Sequence, residues 1–164
     1  MSGYESGLSV TPIPGRFTVT GAMQQAHERL LSVFDQENPP EVINLQKLVD
    51  SPTSEMIVAL DGELPTNYDD WLEIPEERYI GTLSLLFLRT MTRDLAQIEH
   101  VAVVPSRQGK GIGTALVKNA IKQAKAQGVS RVDLTSNQSK LAAQRVYEKT
   151  GFHTRETVNW RLEI

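Results

Sequence analysis

The chain has 164 residues, 40% of them hydrophobic and 23% charged, a composition suited to one globular domain. Its formal net charge of −3 excludes a bulk electrostatic affinity for nucleic acid, so any phosphate ligand needs a local site. With no cysteine, it excludes a disulfide framework, a thiolate metal site and a cysteine nucleophile.

The opening stretch "MSGYESGLSV" lacks the basic segment and apolar run of a signal peptide. Residues 1–15 hold three glycines and two prolines without periodicity, and are expected to be a loose lead-in to a single domain over 16–164. "RFTVT" alternates as a first strand, and "GAMQQAHERLLSVFDQ" carries Met23, Ala26, Leu30, Leu31 and Phe34 at helical spacing. "PPEVINLQKLVDSP" reads as a second helix, with Pro40 near its start and Pro52 after its end.

"EMIVAL" and "YIGTLSLLFL" read as the second and third strands. The "LSLLFL" run is far too short to span a bilayer, so the expectation is a soluble, cytoplasmic protein. Between these strands lie residues 61–77, with seven carboxylates and no basic residue. This connection is long enough to be a functional surface loop or a partly disordered one. "AQIEHVAVV" is the fourth strand, and "GIGTALVKNAIKQAKAQ" is the clearest helix. Ile112, Leu116, Ala120 and Ala124 line one stripe of it, flanked by Val117 and Ile121, with Gly128 as its stop. "RVDLT" is a fifth strand and "SKLAAQRVYEKT" a helix ended by Gly151. "FHTRE" and "VNWRLEI" read as a closing hairpin. The expected fold is α/β, a mixed sheet with helices on its faces, in the order β-α-α-β-β-β-α-β-α-β-β.

The stretch "VAVVPSRQGKGIGTALV" carries the chemistry. A Walker A loop fails because Lys110 is followed by Gly111 rather than Ser or Thr. A Rossmann turn fits poorly, because the glycines fall at 109, 111 and 113 and arrive after four strands. The pattern Gln108-Gly109-Lys110-Gly111-Ile112-Gly113 instead aims backbone N–H groups from a helix start. Those donors are unpaired within the helix and lie at its positive dipole end, so a pyrophosphate suits them. Arg107 and Lys110 add charge at the rim. The plainer reading is a strand-to-helix turn that only needs glycine.

Together with "LAAQRVYEKTGF", where Ala143, Tyr147, Gly151 and Phe152 fall at the spacing Ala-x-x-x-Tyr-x-x-x-Gly-Phe, the segment from Gln97 to Phe152 resembles the acyl-CoA-binding core of the GNAT superfamily of N-acetyltransferases. The resemblance implies acetyl-CoA as cosubstrate, no metal, and an amine acceptor. It implies splayed fourth and fifth strands, with the backbone of Val101, Ala102 and Val103 pairing with pantetheine. Gln108, Gly109, Lys110, Gly111, Ile112, Gly113 and Thr114 would cradle the pyrophosphate, and Ala143 would line the donor site.

An alkylammonium is mostly protonated at neutral pH, so a base is required. Glu99 is the candidate, sharing a face with Val101 if the strand is regular, while His100 would then point to the other face; a bulge would upset both. Its plainer reading is a structural carboxylate. Tyr147 is the implied acid for the departing thiolate, against a packing role for its ring. Family members often carry Asn seven residues before that tyrosine, where this chain has Lys140. Asn137 is a near substitute, or a helix cap. Lys140 would reach a CoA phosphate or only solvent.

The acidic stretch 61–77 would attract a cationic amine such as a polyamine, an aminoglycoside or a lysine side chain, with Tyr68 and Trp71 covering it, or would simply be solvated. Homodimers are common in the superfamily, often through terminal strands, and "VNWRLEI" permits one. A non-catalytic acyl-CoA-binding module is the alternative to an enzyme.

Overall fold

The computed structural model describes residues 7–15, 17–34 and 45–162. Five strands form one sheet in sequence order, β1 (Leu8–Pro12), β2 (Ser54–Asp61), β3 (Tyr79–Arg89), β4 (Asp94–Val103) and β5 (Val132–Leu134). The first three pairings are antiparallel and β4 pairs β5 in parallel, so the sheet is mixed. Helices α1 (Gly21–Leu31) and α2 (Leu45–Asp50) precede β2, a short α3 (Tyr68–Leu72) precedes β3, α4 (Ile112–Ala126) links β4 to β5, and α5 (Leu141–Lys149) follows. The predicted second helix is described only from Leu45 onward; Pro40 and its surroundings lie outside the described residues.

Helices α1 and α4 cover opposite faces. On β3, Thr82 bonds His27 of α1, while a Cβ on neighbouring Gly81 would meet Leu116 and Ile112 of α4. Consecutive strand residues point to opposite faces, which fixes the sides. The α4 stripe is buried as its spacing predicts, with Ile112, Leu116, Val117, Ala120 and Ala124 inside. Gly128, at φ 73°, takes the left-handed conformation that ends the helix.

Three sequence expectations change. The first strand is Leu8–Pro12, inside the stretch expected to be a loose lead-in, and it pairs with Ile57–Asp61 of β2. It is an edge strand, where Pro12 is tolerated, and too short to show a period. Residues 17–20 are extended but outside the sheet. The side chain of Gln46 satisfies their backbone instead, accepting from Val19 N at 2.8 Å and donating to the Phe17 carbonyl at 2.9 Å. Thr20 then caps α1 by accepting from Met23 N at 3.1 Å.

The closing hairpin is also absent from the described residues. No strand follows α5, and Val158, Trp160 and Leu162 are 74%, 92% and 84% exposed, so their alternation buries nothing that would offset ordering the backbone. The acidic connection, finally, is built around the short helix α3, with Glu63, Asp69, Asp70, Glu73 and Glu77 exposed. Trp71 of α3 is buried edge-on against Phe17, and Tyr68 packs on the same ring and bonds Thr18. Arg78 donates to the carbonyls of Asp61 and Glu63, and Arg29 pairs with Glu76. No described helix is long and apolar enough to cross a membrane.

Candidate active site

The β4–β5 ladder runs only from Ala96–Val132 to Ile98–Leu134, yet β4 continues to Val103. Beyond Ile98 the two strands part, and a cleft of about 970 Å³ opens between them. That volume suits a sizeable small-molecule ligand. Val101, Ala102 and Val103 line one wall, the glycine turn lines one end, and α5 lines the other wall with Ala143 and Tyr147.

At the glycine turn, Gly109 and Gly111 adopt φ 75° and 82°, conformations that favour glycine. Gly111 is the N-cap of α4, no side chain caps the helix there, and the first intrahelical bond is Ala115 N to Gly111 O. The N–H groups of Ile112, Gly113 and Thr114 therefore head the helix without a side-chain partner. A Cβ on Gly109 or Gly111 would meet nothing within 4 Å, so the space above the turn is open. This geometry fits an anionic group such as a pyrophosphate.

The flanking residues behave less uniformly. Gln108 reaches back to donate to the Val103 carbonyl at 3.1 Å, bracing the turn against β4 and occupying one strand acceptor. Arg107 forms an ion pair with Asp61 at the end of β2 while lining the cleft. Lys110 is exposed and stands outside the cleft lining.

A bulge in β4 decides how the chemistry-bearing side chains point. Ser84 pairs with Glu99 and Thr82 with Ala102, so two β3 steps face three β4 steps. The extra residue is accommodated at His100, whose φ of 54° is the one left-handed non-glycine conformation among the described residues. The regular alternation expected of this strand does not hold across the bulge, which puts Glu99 on the face of Ala102 rather than of Val101. Glu99 and His100 both line the cleft, as do all residues from Ile98 to Val103. Glu99 is half-buried on the α1 side of the sheet, opposite Ser84. Gln97 donates to its Oε1 at 2.5 Å. His100 stands edge-on to Phe34, just past α1, with ring centroids 6.3 Å apart.

Tyr147 is placed by the end of its own helix. Phe152 N bonds the Tyr147 carbonyl and Gly151 N bonds that of Glu148, each at 3.0 Å. Gly151 supplies the required positive φ of 96°, and the rings of Phe152 and Tyr147 pack 6.1 Å apart. This is a Schellman cap with its apolar contact, and it explains the spacing Tyr-x-x-x-Gly-Phe in physical terms. Burial, and secondarily the charge of Glu99, push the Tyr147 phenol above its ordinary pKa. The phenol is thus kept protonated, and Glu99 and Tyr147 share one electrostatic site.

Asn137 does not cap α5. Its Oδ1 accepts from Ser139 N and Oγ, both at 2.9 Å, forming the turn before the helix, and it lines the cleft. Lys140 occupies the N-cap position without a side-chain bond to the helix, and its Nζ lies 4.5 Å from the Phe34 ring centroid. Phe34, Gln97 and the Arg107–Asp61 pair escaped the sequence reading. Phe34 carries a signal there as the last apolar member of the first helical stripe, and Arg107 as charge at the rim of the turn, though not its pairing with Asp61.

The acetyltransferase (GNAT) family model matches residues 25–152, which is most of the chain and all of the cleft. The chain belongs to the GNAT acetyltransferase family. It is 27% identical over 160 residues to a mycothiol acetyltransferase of Beutenbergia cavernae, covering 92% of this chain and 50% of that one. It is 34% identical over 93 residues to a glucosamine 6-phosphate N-acetyltransferase of Trypanosoma brucei brucei, covering 55% and 60%. Human N-acetyltransferase 8B matches at 32% over 84 residues, 50% of this chain and 37% of that one. The chain thus spans about a third to three fifths of the length of these relatives. Among solved structures, an aminoglycoside acetyltransferase from an uncultured soil sample superposes with a TM-score of 0.72 at 20% identity, covering 96% of both chains. A transcriptional regulator of Bacillus halodurans reaches 0.73 at 22%, covering 96% and 99%. At such identities these two establish the GNAT fold alone.

Proposed function

We propose that this GNAT domain transfers an acetyl group from acetyl-CoA to a primary amine by direct attack, with Glu99 as base and Tyr147 as acid. The observation that carries the reading is the pairing of these two groups in one cleft whose far end is an uncapped, glycine-rich helix start. Acetyl-CoA would supply the activated thioester carbonyl. Ile112, Gly113 and Thr114 would hold its pyrophosphate through backbone N–H groups, and the free edge of Val101 and Ala102 would pair with its amide arm.

Glu99, braced by Gln97, takes a proton from the acceptor ammonium, and the freed lone pair attacks the thioester carbon. The carbon–sulfur bond breaks as the Tyr147 phenol donates its proton to the departing sulfur. The nitrogen's surplus proton restores the phenol, directly or through water. The products are an N-substituted acetamide, free CoA and one proton on Glu99 to be lost to solvent. On this reading β1 belongs to the catalytic domain, which begins at Leu8 rather than at residue 16.

The acceptors named for the relatives, an amino sugar phosphate and mycothiol among them, differ too much to choose one for this chain. The test is CoA release from acetyl-CoA across a mixed amine panel, with Glu99→Gln as control. Release that falls roughly a hundredfold in kcat/KM for Glu99→Gln is expected, in line with the contribution of a general base. Tight acetyl-CoA binding without release for any amine would make the domain an acyl-CoA-binding module instead.

A further inference from the structure

The acidic stretch 61–77 suggests either an attraction for a cationic acceptor or a solvated loop, and it stands apart from the cleft. No residue of that stretch lines the cleft. Its backbone and one of its carboxylates are held by Arg78 and Arg29, another carboxylate by Arg107, and its tryptophan is buried. Within the cleft the charge balance is reversed. Among the described residues that line it, Glu99 is the sole carboxylate, against Arg107, Lys140, Arg145 and Lys149.

These cations are not all at the donor end. Arg107 sits beside the glycine turn and is already paired with Asp61. Lys140 is elsewhere: its ammonium lies on the Phe34 ring, and His100, the neighbour of Glu99, stands edge-on to the same ring. Besides Gln97 and Tyr147, the cleft that holds Glu99 thus carries an ammonium and an imidazole against one aromatic ring. Among the described residues Lys140 has no carboxylate within ion-pair distance, and its ammonium contacts the Phe34 ring instead.

Resting on the transferase reading above, we infer that the acceptor is an anionic amine, a primary amine accompanied by a carboxylate or phosphate. Glu99 takes the amino end, Phe34 packs the connecting carbons, and Lys140, which shares that ring with His100, takes the anion. A polycationic acceptor would instead bring surplus positive charge against Lys140, with Glu99 the one carboxylate among the described lining residues, which disfavours it. Lys140 acts here as a specificity residue and takes no part in the proton transfers.

The test compares matched amines by CoA release: β-alanine with β-alaninamide, O-phosphoethanolamine with ethanolamine, glucosamine 6-phosphate with glucosamine, and spermidine as the polycation. At least one anionic member should exceed its neutral partner about tenfold in kcat/KM, the scale of one charge-assisted hydrogen bond. The carboxylate and phosphate arms separate the two sources of the anion. Lys140→Gln should remove that preference through the KM of the amine, and Lys140→Glu should turn it toward spermidine. The acetyl-CoA dissociation constant of both variants, measured by calorimetry, should stay within about twofold, and circular dichroism checks their fold. Preference for neutral amines or spermidine in the unaltered protein overturns the inference while leaving the transferase reading intact. A weakened acetyl-CoA affinity in Lys140→Gln overturns it by assigning the lysine to the donor. Absence of CoA release with every amine tested sinks the transferase reading and the acceptor class with it.

Discussion

Lowering the pH from 7 to 5 should destabilise this fold through one side chain, His27. It is 1% exposed, with Nδ1 2.7 Å from the Met23 carbonyl and Nε2 3.1 Å from Thr82 Oγ1. A carbonyl only accepts, so Nδ1 donates to it, and the neutral ring's Nε2 accepts from the Thr82 hydroxyl. Burial drives the imidazole pKa from 6.5 down to about 4, with the Met23 bond opposing in part. Between those values the unfolded chain carries the proton and the folded chain does not, so stability rises with pH across that window and is lost as pH falls through it. Each pKa unit is worth about 1.4 kcal/mol, and the step from pH 7 to 5 therefore costs about 2 kcal/mol. Below pH 4 the contribution levels off, because the folded state then binds the proton too.

Urea unfolding at both pH values, on the protein and on His27→Gln, measures this directly. The glutamine can still accept from Thr82 but does not titrate. Glu55, whose carboxyl is pushed up by burial, works in the opposite sense and is common to both proteins, so the difference between them isolates His27. Equal loss of stability in the two proteins would refute the reasoning.

Tyr147→Phe should lower kcat by at least tenfold with little change in acetyl-CoA affinity, because it keeps the ring contact with Phe152 and removes only the acid; steady-state kinetics with unchanged kcat would remove the role. Gly81→Ala should cost about 1–3 kcal/mol in urea unfolding, since its Cβ would stand 3.0 Å from Leu116 Cδ1 and 3.2 Å from the Ala102 carbonyl. Trp71→Ala should lose about 3–5 kcal/mol of stability with kcat/KM of the folded protein retained. A raised KM at unchanged stability would return that tryptophan to a substrate-covering role.

The legible parts of the fold were those with strong local periods. The α4 stripe, its Gly128 stop and the strands β2, β3 and β4 follow the residues that encode them. β1 was illegible because its stability comes from pairing with β2 across some forty intervening residues, and five residues ending in proline show no period. Residues 17–20 misled for the complementary reason. They alternate like a strand, but Gln46 supplies their hydrogen bonds.

In the site, the glycine turn and Tyr147 were legible because each is a local backbone device, a helix start and a helix end. The orientation of Glu99 and His100 was not, because the bulge depends on register against β3. Nor was the charge of the cleft. The acidic residues of 61–77 precede the site in sequence, but none of them lines the cleft, and Asp61 and Glu76 are held in ion pairs.

The Schellman cap of α5 also sets the tyrosine by local means. The backbone bonds that end its helix reach no further than Phe152, whereas Arg155 beyond it returns to Asp133 of β5. The highly exposed side chains of Val158, Trp160 and Leu162 are accordingly positions where a label can be introduced near a reacting group without touching the cap that places it.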